Sequence, residues 1–228
     1  MLLSLLKSQV EQQFFVMFAY LVAVAEPDMS NLPPRLTASN AHDHFKMLDI
    51  EFQIINKFYN EVYIPQDDSI VSFIQNNYNS INYSFNKPEN HKISAYKIGE
   101  NPLFNNYASL NCNNIVELID TISSQYLGDN IITDFNKITE AKNSILDISL
   151  KAILPKNIDS LDLISRKIML LEATAMAYCD GNCSPEEELL LNNFCKYCAI
   201  DRSFVPTFEN ITRQFVELYK QCLELINN

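Results

Sequence analysis

Tryptophan is missing from this chain of 228 residues, and glycine occurs only three times. Phosphate cradles built on glycine need several such residues close together, and neither Gly-x-Gly-x-x-Gly nor Gly-Lys-Ser/Thr occurs. Positive charge is scarce as well: 17 lysines and arginines stand against 28 aspartates and glutamates, a net charge of −11. A chain of that sign repels phosphate backbones and anionic lipid, so it carries no electrostatic footprint for nucleic acid. Cationic proteins or metal ions suit it better. Long apolar runs are lacking too, since the longest, Phe14 to Ala25, has twelve residues, about half of the ~20 that span a bilayer. Its length predicts a buried core helix. Ala23-Val-Ala25 looks like a signal-peptide cleavage site, but the segment before it is long and polar and carries Glu11 beside Lys7. A cytoplasmic protein without a membrane span is the expectation.

What is present is a 47% apolar chain, ample for a folded core. Leu3, Leu6, Val10, Phe14, Met17, Leu21 and Val24 step by three and four, which predicts a first helix ending before Pro27. After Pro33-Pro34, Thr37 or Ser39 can cap a second helix carrying Phe45, Leu48, Phe52, Ile55, Phe58, Tyr59 and Val62 to Pro65, and Ser69 to Asn77 continues the pattern weakly. Between Asn76 and Asn114 lie twelve asparagines in 39 residues, with no sustained period. That stretch reads as an irregular insertion rich enough in Tyr, Phe and Ile to pack in part on the helices.

Helix resumes over 114–127, stopped by Gly128, and over 133–153, stopped by Pro155. Leu161, Ile164, Ile168, Leu171, Ala175 and Tyr178 define the next stripe, and Leu190, Leu191, Phe194 and Cys198 face inward on a shorter helix. Phe204, Phe208, Ile211, Phe215, Leu218, Cys222 and Leu225 alternate by four and three on the last. Short connections imply that these helices hide their stripes against one another. The prediction is an all-α bundle of about seven helices: 1–65 as an N-terminal half, 66–113 as the insertion and 114–228 as a C-terminal half, within one domain.

The stretch Tyr178-Cys-Asp-Gly-Asn-Cys-Ser-Pro-Glu-Glu-Glu188 closes one amphipathic helix and opens the next. Ser184 suits the N-cap, Pro185 the first helical position and Glu187 the third, a Ser-x-x-Glu capping box. A small-residue helix, Asp-Gly, a spacer, an apolar residue, Ser and Glu three further on is similar to the repeated signature of the tellurite-resistance TerB-like proteins. Ala25-Glu-Pro-Asp-Met-Ser30 echoes it by chemical class, with Pro27 in place of Gly and Pro33 in place of the capping Glu. The resemblance implies a TerB-like bundle of two pseudo-repeated halves. It also implies a bacterial stress or defence setting, including tellurite resistance, phage defence and envelope-stress signalling, in which such domains act beside other proteins.

Asp180 and Glu187 carry the acidic signature, with Asn182 and Glu186 beside them and Glu26 and Asp28 as a second patch. Packing of the halves about a pseudo-twofold would bring both acidic turns to one end, where oxygen ligands suit Ca²⁺. Turn and capping roles account for the same spacing without any ligand. Cys179-x₃-Cys183 and Cys195-x₂-Cys198 offer a tetrahedral Zn²⁺ alternative, against the commoner fate of free cysteine as a small buried hydrophobe. His42 and His44, two apart, diverge on a helix and read as surface or capping residues, while His91 lies alone in the insertion. Nothing nominates a nucleophile, a general base or a cofactor site. The sequence thus predicts a non-catalytic interaction module that docks proteins through an acidic helix-turn surface, with cation tuning as an option. The competing expectation is an acidic immunity protein or antitoxin masking a basic toxin. Oligomeric state is left open.

Overall fold

The computed structural model describes residues 5–6, 9–26, 33–45, 51, 54–55, 115–155, 158–179 and 181–227. The expected insertion at 66–113, most of the second helix, 27–32 of the N-terminal motif, Asp28 and Asp180 lie outside them. Within them the protein is an all-α bundle: α1 (Gln9–Ala23), α2 (Ile115–Leu127), α3 (Phe135–Ile153), α4 (Leu163–Ala177), α5 (Pro185–Tyr197) and α6 (Phe204–Asn227), with 3-10 turns at Ala38–His44 and Ile158–Ser160. The described residues form no strand, only an isolated antiparallel bridge between Leu36 and Ile132. No described helix is long and apolar enough to cross a membrane.

Each boundary has a local cause. Gly128 ends α2 in the left-handed region, φ 53°, donating its N–H to Ser124 O at 2.9 Å. Asp134 caps α3 by accepting from the Lys137 N–H, and Asp162 caps α4 by accepting from the Ser165 N–H. α5 closes with Ala199 at φ 52° and the Ile200 N–H on Cys195 O at 2.9 Å, a Schellman-type end built without glycine.

α1 is the axis. Every residue from Phe14 to Ala25 is buried, so the twelve-residue apolar run is a helix hydrophobic on all sides because α3, α4 and α5 pack around it. Phe18 stacks on Phe194 of α5 with centroids 4.1 Å apart, and Phe14 lies 5.9 Å from the same ring. The buried Arg166 of α4 ties the layers by donating from Nε to Leu161 O at 2.7 Å and from Nη1 to Cys198 O at 2.9 Å.

Four expectations need correction. Thr37 begins a 3-10 turn instead of an α-helix: its N–H and hydroxyl both reach Asn40 Oδ1, and the turn ends at His44. His44 is buried, its Nε2 on Arg35 O, while His42 stays exposed beside Asp43. On α4 the inward face is rotated from the expected stripe, leaving Ile164 exposed, because this helix packs on α1 and α6 at once. On α6 the stripe is hidden only at its start. Phe204 and Phe208 pack on the core, whereas Ile211, Phe215 and Leu218 are exposed. The bundle covers the side marked by Val205 and Thr212 instead.

Candidate functional site

The turn from α4 to α5 is built as the sequence predicts. Ser184 Oγ accepts from the Glu187 N–H at 3.2 Å, Glu187 Oε2 accepts from the Ser184 N–H at 2.8 Å, and Pro185 fills the first helical position. This reciprocal bonding satisfies two otherwise orphaned donors. Glu187 is only 1% exposed, so its carboxylate is committed to the cap. Gly181 sits at φ 102° with its N–H on Tyr178 O at 3.0 Å. A Cβ there would meet nothing within 4 Å, so the backbone, not space, demands glycine. Gly181→Ala is expected to lower stability by about 1 kcal/mol through left-handed strain, readable as a shifted denaturant midpoint with an unchanged helical spectrum.

Glu188 and Asn182 are exposed and Glu186 half-buried, so the outward part of the turn is acidic and polar. Acidic side chains in the first turn of α5 also meet the favourable end of the helix dipole. Cys183 is half-buried and packed against the core. Its thiol is pushed up to about 12, first by burial and then by the carboxylates of Glu187, Glu209, Glu188 and Glu26. Those four acids come from α5, α6 and the end of α1. Glu26 and the 183–188 turn therefore share one end of the bundle.

Beneath that end lies Lys142 of α3, 2% exposed, its Nζ 3.4 Å from Ala25 O and 5.6 Å from the centre of the Phe45 ring. Burial pulls the ammonium down to about 8, against the opposing pull of Glu186 and Glu26. Lys142 thus feels carboxylates from both α5 and the segment after α1. On the flank, the Tyr178 hydroxyl donates to Glu209, and the Arg213 guanidinium donates to Glu209 at 3.2 Å and lies 4.8 Å over the Tyr178 ring. Together they pin α6 to the turn beside a cavity of about 170 Å³ lined by Tyr178, Gly181, Arg213, Val216 and Glu217.

Among the described residues no group of three or more His, Cys, Asp or Glu side chains could hold a metal ion. The oxygen ligands in view, Glu26, Asn182, Glu186 and Glu187, do not by themselves fit Ca²⁺, since Glu187 is consumed by the cap and Lys142 already faces Glu26 and Glu186. Cys195 and Cys198 are buried and Cys179 and Cys183 half-buried. Burial raises the Cys195 thiol to about 11 and that of Cys198 to about 12, which favours the neutral form over the thiolate that zinc binds.

Sequence reasoning missed Lys142 and the Tyr178–Glu209–Arg213 cluster. The signal for the first was available: Ile138, Lys142, Ile145, Ser149 and Ala152 step by three and four, and all are buried. The second joins side chains 31 and 35 residues apart, which no local pattern reveals. Compared with known proteins, the chain matches no family model, no curated protein and no solved structure.

Proposed function

We propose that this chain is a non-catalytic protein-interaction module of the TerB-like kind, acting in a bacterial stress or defence system such as tellurite resistance or phage defence. It docks a basic partner surface through the acidic end formed by the turn at 181–188 and the end of α1. The observation that supports this reading is that carboxylates of α5, of α6 and of Glu26 just past α1 all act on Cys183, while Glu188 stands exposed. Structural roles absorb Glu187 and Glu209, so the outward acids Glu186 and Glu188, with Asn182, present the surface. Lys142 offsets part of the repulsion between Glu186 and Glu26, and the net charge of −11 steers a cationic partner toward the chain.

Association of this kind weakens with ionic strength, because exposed charge pairs are screened beyond about 8 Å at physiological salt. The test is affinity purification from the native host, without cross-linking, at low and at high salt. A partner retained at low salt and released at high salt is expected. A partner held equally at both would contradict electrostatic docking.

A further inference from the structure

The apolar stripe of α6 outlasts the bundle that it packs on. Ile211, Phe215 and Leu218 are 36%, 68% and 57% exposed, and the sequence carries the same alternation on through Cys222 and Leu225. Alternation by four and three is the spacing of a coiled-coil seam rather than of a helix lying on a globular core, whose apolar face is wider. The bundle side of α6 is a different one, where Val205 and Thr212 are buried and Arg213 and Glu209 bond to Tyr178.

Charge placement selects the occupant. Glu209, Arg213 and Glu217 of α6 fall by register on the side away from the seam. The exposed positions that flank it, Gln214 and Gln221, are uncharged. Flanking charges are what specify a foreign partner in such pairings, and none is offered here. For a chain of net charge −11, a neutral face is where a second copy can approach without like-charge repulsion. A seam of this kind is also complementary to itself under twofold symmetry. An anionic membrane would be repelled by the remainder of the chain.

We propose that two copies of the chain pair through α6, burying Ile211, Phe215 and Leu218 against one another. The seam faces away from Tyr178 and the acidic turn, so pairing leaves both docking ends accessible and would present two to a partner. The proposal does not depend on the docking reading.

Native mass spectrometry and sedimentation over a concentration series test it directly. A dimer is expected for the unaltered chain. Phe215→Glu with Leu218→Glu should weaken it by about 100-fold or more, the scale of losing central interface anchors. Both side chains are exposed in the single chain, so the melting profile of the monomer should be kept. Gln214→Glu with Gln221→Glu, which leaves the apolar seam intact, should weaken the dimer at low salt and less at high salt. Glu217→Gln should leave it unchanged. A chain that stays monomeric throughout, or a dimer indifferent to the Phe215 and Leu218 changes, overturns the pairing.

Discussion

Replacing Lys142 by methionine is expected to raise the melting temperature at pH 7 by roughly 5–10 °C, the equivalent of about 3 kcal/mol in a domain of this size. The buried ammonium titrates at about 8 instead of 10.5, because loss of water outweighs the attraction of Glu186 and Glu26. Below pH 8 folded and unfolded chains are both protonated at this site, and the folded chain bears the whole penalty of the buried charge. Between about 8 and 10.5 the folded chain releases its proton while the unfolded chain keeps it, so the stability of the natural protein climbs with pH through that window. Above it the penalty is gone, and the advantage of Lys142→Met should vanish. Methionine keeps the reach and the contact with the Phe45 ring while forgoing the long hydrogen bond to Ala25 O and the attraction of Glu186 and Glu26. Thermal melts of both proteins at several pH values give the comparison. A loss of stability in Lys142→Met at pH 7 would mean that the bridge between Glu26 and Glu186 outweighs the cost of burial.

Phe194→Ala should have the largest effect of any single core change, a loss of about 3–5 kcal/mol. The ring is fully buried and stacks on Phe18 while touching Phe14, so it fastens α5 to the central helix. Truncation leaves a cavity against α1, whose surroundings on three sides cannot collapse into it without moving α3 or α4. Phe194→Leu, which retains most of the volume, should cost under half as much. Denaturant unfolding monitored by circular dichroism measures both. Because α5 carries the capping box at its other end, loosening it should also relax the acidic turn.

The helices of the C-terminal half were legible because caps and periods agree. Ser184 marks a start, Gly128 and Pro155 mark stops, and Leu190, Leu191 and Phe194 face inward as their spacing requires. α1 was legible by its length and lack of polarity. The rotation of the α4 face was not, since a helix packed between α1 and α6 is buried over most of its circumference and its period carries little information. Thr37 shows the limit of capping signals, which read the same before a 3-10 turn and an α-helix. Of the candidate turn, the capping box of Ser184 and Glu187 forms as the Ser-x-x-Glu spacing predicts, and Gly181 takes a positive φ. Lys142 was hidden because a charged residue on an apolar face is ordinarily assigned to solvent, and its partners Glu26 and Glu186 are remote in sequence.

The claim that the acidic end is a docking surface is tested most directly by reversing its outward charge. Glu186→Lys with Glu188→Lys leaves the capping pair Ser184 and Glu187 in place and changes the local charge by four. Affinity for the co-purified partner, measured by calorimetry on the folded variant, should fall by about 100-fold or more, as expected when close interfacial charges turn repulsive. Undiminished binding by a folded double variant would contradict the account and move the partner surface elsewhere on the bundle.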